Sequence, residues 1–145
     1  MQPAVNDEPT IISTGVFAFS TSSIPAESTS ELYYHLIFRS NEDLDLLGED
    51  ARRKFYGFIF GCAGGLQGTI ESIGGCGDSV HFLIALKRTQ TPADFIRKMK
   101  LFTSAWAKRK LNLPGFVWYE EEVSTVSRLQ RGRVTSYIQS RRFLF

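Results

Sequence analysis

The sequence lacks several features that would place a protein in a broad class. Its 145 residues contain no apolar run near the roughly 20 residues that a membrane-spanning helix needs. The N-terminus has no basic segment followed by a long apolar stretch, which predicts that there is no signal peptide. The two cysteines, Cys62 and Cys76, do not have CxxC spacing. These absences favour a cytoplasmic protein whose cysteines are buried free thiols rather than a disulfide. They also predict that the protein has no membrane partner.

Length and composition predict one folded domain. A hydrophobic content of 43% and an aromatic content of 13% are ordinary for a globular chain, and 145 residues suffice for one core but not for two. Residues 1–30 are rich in Ser, Thr and Pro, which predicts a flexible N-terminal extension with a candidate short strand at residues 15–19. The predicted domain therefore spans residues 31–145.

The formal net charge of +2 conceals an uneven distribution. Residues 1–86 carry four basic and eleven acidic side chains, a net charge of −7, whereas residues 87–145 carry thirteen basic and four acidic ones, a net charge of +9. A basic half attracts phosphates, although solvated helix faces would show the same charges. The candidate DNA-binding side chains are Arg97, Lys98, Lys100, Lys108, Arg109, Lys110 and Arg133.

Hydrophobic periodicity predicts the order β, α, β-hairpin, α, β, α. The predicted strands are 31–39, 69–73, 79–86 and 116–123, and the predicted helices begin near residues 49, 92 and 130. A capping box of Thr91 and Asp94 should start the second helix, and Phe95, Met99, Phe102 and Trp106 should form its buried side. This order predicts an α+β fold of ferredoxin-like type, with helices against one face of an antiparallel sheet and strands 32–39 and 79–86 side by side.

A glycine turn leads into the strand that carries one of the two histidines. The segment reads Gly74-Gly75-Cys76-Gly77-Asp78-Ser79-Val80-His81. Because side chains alternate along a strand, Ser79 and His81 point the same way. Two histidines at this spacing would meet one divalent cation, but a serine hydroxyl is a weak neutral ligand. A lone strand histidine is otherwise most often a structural residue.

Three segments, in this order, resemble the single-tyrosine HUH transposases, especially the IS200-like branch called REP-associated tyrosine transposases. The first is Tyr33-Tyr34-His35-Leu36-Ile37-Phe38, the second is the glycine turn with its strand, and the third is a final helix with Val134, Tyr137 and Ile138. The family patterns are G-G-x-x-D-H-V-H-L-L for the turn and V-x-x-Y-I-x-x-Q for the helix. A fourth pattern, F-x-W-Q-x-G-Y, is matched from Phe116 but has Glu121 and Glu122 in place of its glycine and tyrosine. The resemblance spans about residues 28–140.

The resemblance implies cleavage and strand transfer of single-stranded DNA. The family's tyrosine, matched by Tyr137, attacks a phosphodiester and forms a 5′-phosphotyrosine, while Mg²⁺ or Mn²⁺ on two histidines and a glutamine polarises the phosphate. This chain keeps His81 but has Ser79 and Arg141 at the other two ligand positions. Since an arginine repels a cation, the resemblance predicts a degenerate metal site with weak or lost binding.

Three functions therefore compete. The first is a transposase-like enzyme acting on single-stranded or hairpin DNA, impaired by Ser79. The second is a catalytically inactive, repurposed DNA-binding protein, and the third is a ferredoxin-like interaction domain with no nucleic-acid role. Some relatives merge their sheets and donate the tyrosine across the interface, which makes a homodimer a candidate assembly. His35 is interpreted as a hydrogen-bonded strand residue rather than a replacement metal ligand.

Overall fold

The computed structural model describes the backbone of residues 31–141 and the side chains of residues 31–140. In that part of the chain the elements are β1 (Glu31–Ser40), α1 (Glu49–Gly65), β2 (Thr69–Gly74), β3 (Ser79–Lys87), α2 (Pro92–Lys110), β4 (Trp118–Val126) and α3 (Arg131–Arg141). Short 3₁₀ turns lie at Leu44–Leu47 and Arg128–Gln130. The extension predicted for residues 1–30, with its candidate strand, lies outside the described residues.

The four strands form one antiparallel sheet in the order β2-β3-β1-β4. β1 and β3 are the two central strands, and their register places Leu36 opposite Phe82 and His35 opposite Leu83. The predicted α+β fold of ferredoxin-like type is confirmed, and so is the predicted pairing of these two strands. Within the described residues, no helix is long and apolar enough to cross a membrane.

One face of the sheet packs against α1 and α2 and forms the main core. Large side chains from both layers are buried there, each stabilising the fold by about 1.5–3 kcal/mol. They include Tyr34, Leu36, Phe38, Phe55, Ile59, Val80, Phe82, Ile84, Leu86, Phe95 and Met99. Beside this group two polar side chains satisfy each other: Trp118 Nε1 donates to Thr103 Oγ1 at 2.9 Å, and Thr103 Oγ1 donates to the Met99 carbonyl at 2.6 Å.

The opposite face packs against α3, which corrects the prediction that the helices lie on one face. The second core consists of Tyr33, Leu83, Ala85, Val126 and Ile138. β3 is buried from Ser79 to Leu86, so both of its faces carry side chains that must be removed from water. A single helical layer cannot cover both faces, and α3 therefore provides a second layer.

Two details predicted for α2 are wrong. Thr91 is the N-cap, but its side chain accepts no capping hydrogen bond. The Asp94 carboxylate pairs with Arg97 and Lys98 of the same helix instead of accepting from the Thr91 N–H. Phe102 is 45% exposed. The buried stripe instead continues from Met99 to a threonine and an alanine, Thr103 and Ala107. The threonine is tolerated because its hydroxyl has the two hydrogen-bond partners described above.

The turn between β2 and β3 leaves no room for a side chain at Gly75. A Cβ there would lie 2.2 Å from the carbonyl oxygen of Ser79, the residue that begins β3. By contrast, a Cβ at Gly57, exposed in the middle of α1, would meet nothing within 4 Å. The turn therefore requires glycine for steric reasons.

We expect Gly75→Ala to lower the free energy of unfolding by about 1–3 kcal/mol, because the turn must move away from Ser79. Gly57→Ala, the matched control, should raise it by about 0.5–1 kcal/mol through its effect on helix propensity. Chemical denaturation measures both values. Equal free energies of unfolding for the two variants would show that the turn accommodates a Cβ at position 75 without loss of stability.

Candidate active site

β1, β3 and α3 bring His35, His81 and Tyr137 together on the α3 face of the sheet. His35 Nε2 and His81 Nδ1 are 3.2 Å apart. The Tyr137 ring centroid lies 6.0 Å from that of His35 and 5.8 Å from that of His81. The only two histidines of the chain, 46 residues apart, thus contact each other beside the predicted nucleophile.

The three side chains differ in their access to solvent. His81 is 3% exposed, whereas Tyr137 is 47% exposed. The neighbouring Ile138 is fully buried in the second core and fixes the orientation of α3. The Tyr137 side chain is therefore partly exposed to solvent, while the His81 imidazole is held inside the protein by the sheet.

The strand position that the resemblance assigns to a first metal-binding histidine carries the hydroxyl of Ser79, which is hydrogen-bonded within the turn. Ser79 is 3% exposed, and its Oγ donates to the Cys76 carbonyl at 3.0 Å. Directly opposite on β1 is Arg39, whose guanidinium pairs with Glu122 at 3.0 Å and with Glu120 at 3.6 Å. At this end of the site, the positively charged side chain of Arg39 therefore lies between two carboxylates.

Burial determines the charge state of His35. The pKa of its imidazole is lowered from the ordinary value of 6.5, chiefly by burial, while the nearby carboxylate of Glu122 acts in the opposite direction. His35 is consequently neutral near pH 7 and can share one hydrogen with His81. The hydrogen bond predicted for this strand residue is present, but its place next to Tyr137 was not predicted.

The candidate DNA-binding residues lie on two different faces. Six of the seven are on α2, on the far side of the sheet from Tyr137, and only Arg133 is on α3. On α2, Arg97 and Lys98 pair with Asp94, and Lys100 pairs with Glu121. The exposed last turn of the helix contains Lys108, Arg109 and Lys110. The structure thus separates most of the predicted basic surface from the histidine–tyrosine group.

Two arginines near the start of α3 were not singled out by the sequence. Arg131 binds Glu71 through two nitrogens at 2.9–3.1 Å and lies 4.4 Å above the centre of the Tyr33 ring. Arg128 lies 5.9 Å from the same ring. A capping box between Ser127 and Gln130 encloses Arg128 and directly precedes Arg131. These contacts anchor α3 on the sheet and so position Tyr137.

Arg141 is the last residue of α3, and its side chain lies outside the described residues. Its role at the position of the family's glutamine therefore stays a prediction.

The comparison with known families agrees with this geometry. The sequence model described as "Transposase IS200 like" matches residues 28–141. The chain belongs to the IS200-like transposase family. A crystal structure of a protein assigned as a transposase, from Deinococcus radiodurans R1, is similar with a TM-score of 0.59 and 21% identity, covering 77% of this chain and 91% of that one. At this identity the likeness shows the fold alone. No curated protein matches the chain.

IS200-like transposases are generally metal-dependent, so a divalent cation is implied for this site. Mg²⁺ requires near-octahedral coordination, largely by oxygen ligands. Among residues 31–140 there is no group of three or more His, Cys, Asp or Glu side chains placed to hold a metal ion. The Ser79 hydroxyl is already engaged with the turn. The described residues therefore do not fit a cation of this kind.

The effect of Glu122 on His35 can be measured by NMR titration of the two histidines. Removing the carboxylate in Glu122→Gln takes away the interaction that raises the pKa of His35, so that pKa should fall further. The matched control is Glu121→Gln. Glu121 is adjacent on β4 but pairs with Lys100 of α2, on the other face of the sheet, so this change should leave the titration unaltered. An upward shift in Glu122→Gln would contradict the assignment.

Proposed function

We propose that this chain is a DNA-binding protein of the single-tyrosine HUH class whose DNA cleavage and strand transfer are severely impaired. The observation that carries the proposal is the position of Tyr137, accessible on α3 next to His81 of β3, with Ser79 at the first metal position. Membership of the IS200-like family supports a DNA substrate. The proposed substrate is single-stranded or hairpin DNA, and the proposed product is a 5′-phosphotyrosine on Tyr137.

The charges at the Ser79 end of the site support the impairment. Attack on a phosphodiester requires a positive charge to stabilise the oxygens of the phosphate. The guanidinium of Arg39 is already paired with Glu120 and Glu122, so these three groups sum to a negative charge. The Tyr137 phenol must also lose its proton without help from a metal. Both conditions slow the reaction at Tyr137.

The catalytically inactive, DNA-binding alternative is supported by a different observation. Lys108, Arg109 and Lys110 have no acidic partner among the described residues, and they lie on the face away from Tyr137. DNA held there would not depend on the tyrosine site. A protein that kept only this surface would bind DNA without cutting it.

The edge of the sheet bears on the proposed assembly. A dimer formed by merging sheets needs a free strand edge, and β4 ends the sheet with seven of its nine residues exposed. Its three consecutive glutamates, 120–122, disfavour pairing between identical copies. A homodimer joined through the β4 edge is therefore disfavoured, and β2 is the other edge of the sheet.

DNA binding should weaken steeply with salt, because bound counterions are released from the phosphates. Replacing Lys108, Arg109 and Lys110 together by Gln should weaken binding of a labelled strand and reduce the magnitude of the salt slope by about 2, at about 0.7 per phosphate contact. Fluorescence anisotropy at several salt concentrations measures both quantities and the stoichiometry.

The control for that experiment is Arg53→Gln with Lys54→Gln, which removes two exposed basic groups from α1. Its affinity and salt slope should match those of the unaltered chain. If the unaltered chain does not bind DNA at low salt, or if both variants lose affinity equally, α2 is not part of the DNA surface.

Restoring the metal ligands should restore cleavage. Ser79→His, alone and with Arg141→Gln, should raise Mg²⁺- or Mn²⁺-dependent formation of a covalent DNA–protein adduct, because two imidazoles from one strand face can share a cation. Tyr137→Phe should abolish the adduct in every background. Gel electrophoresis under denaturing conditions detects it.

Ser79→Ala controls for the loss of the hydroxyl and should leave adduct formation at the low level of the unaltered chain. Melting temperatures show whether the larger imidazole side chain of the Ser79→His variant is accommodated. Efficient adduct formation by the unaltered chain with Mg²⁺ would show that it is a working transposase and that the proposed impairment does not exist.

A further inference from the structure

We propose that His35 and His81 together form a metal site for a borderline transition cation such as Zn²⁺. It differs from the H-x-H site of the family because one ligand comes from β1 and the other from β3. The inference does not depend on the proposed function, since the cation can bind whether or not the chain binds or cuts DNA.

The distance between the two imidazoles carries the proposal. Zn²⁺ binds imidazole nitrogens at about 2.0–2.1 Å, so two nitrogens on one tetrahedral ion lie about 3.3 Å apart. His35 Nε2 and His81 Nδ1 are 3.2 Å apart. A cation to one side of the line between them bonds to both nitrogens once each ring tilts so that its lone pair points at the ion.

The same distance accommodates a hydrogen bond in the metal-free protein. One ring donates its N–H to the lone pair of the other, so one hydrogen lies between the two nitrogens. When the cation binds, both nitrogens must offer lone pairs, and the hydrogen moves to the second nitrogen of its own ring. Two neutral imidazoles thus become two neutral ligands, and no net proton is released.

The surroundings favour such a cation. The His81 ring is buried and the two strands are the central pair of the sheet, so the ligands lie on rigid elements. Glu122, which favours positive charge on His35, favours a bound cation for the same reason, with Arg39 partly offsetting it. Imidazole ligands suit Zn²⁺, Ni²⁺ and Cu²⁺, whereas Mg²⁺ prefers oxygen.

The test uses the full chain and Zn²⁺ without DNA. Isothermal titration should show one saturable site with a dissociation constant on the order of 1–100 µM, since two protein ligands supply about half of a four-ligand site. Because the chain has only two histidines, NMR signals of its imidazoles report on this pair alone. Both should shift with Zn²⁺, and neither should shift with Mg²⁺.

The variants separate this site from other ligands. His35→Gln and His81→Gln should each weaken Zn²⁺ binding at least about tenfold. Cys62→Ser with Cys76→Ser, which removes the only thiols, should leave it unchanged. If His81→Gln does not fold, the NMR experiment on the unaltered chain and the His35→Gln variant still decide. Absence of binding up to about 1 mM Zn²⁺, or binding that survives loss of His35 or is lost with the thiols, would overturn the proposal.

Discussion

The antiparallel pairing of β1 with β3 is the constraint on which both the core and the site depend. Side chains along a strand alternate between faces, so a shift of β1 by one residue would exchange the side chains of that strand between the two faces of the sheet. Phe38 would move away from α1 and α2, and His35 would leave the face that carries His81. Since Phe38 and Phe82 are fully buried against each other with ring centroids 5.1 Å apart, the core strongly favours the observed register. The contact between His35 and His81 follows from hydrophobic packing on the other side of the sheet.

Local patterns were enough to predict most of the elements, the ferredoxin-like order and the strand carrying His81. They could not supply the register of β1 against β3, because these strands are separated by a helix and a third strand rather than by a short turn. His35 was therefore recognised as a strand residue but not as a neighbour of Tyr137. The same limit explains Phe102 and Thr103. The two residues are adjacent on α2, and helical periodicity alone does not decide which of them faces the core. Thr103 is the buried one, and its hydroxyl accepts a hydrogen bond from the Trp118 indole on a distant strand.

The sheet also separates two properties that the sequence placed in one basic half. Lys108, Arg109 and Lys110 lie with α2 on one side, and Tyr137 lies with α3 on the other. A positive charge on one face of a four-stranded sheet acts weakly on a phosphate at the opposite face, because distance and salt screening reduce it. The proposed DNA binding and the proposed cleavage of DNA therefore depend on different faces of the sheet. A change at the proposed metal site would leave the proposed DNA surface on α2 unaltered.

The departures from the family pattern are scattered along the chain but meet in space. Ser79 replaces a histidine, and Glu122 replaces a tyrosine 43 residues later. In the sheet both adjoin Arg39, which lies opposite Ser79 on one side and pairs with Glu122 on the other. The Arg39 guanidinium is paired with Glu120 as well as with Glu122, so these three groups carry a net negative charge. In the proposed impaired site this group lies at the end where the family's first histidine would hold a cation. A group of net negative charge does not stabilise the oxygens of a phosphate, which is the physical basis for expecting binding without efficient cleavage.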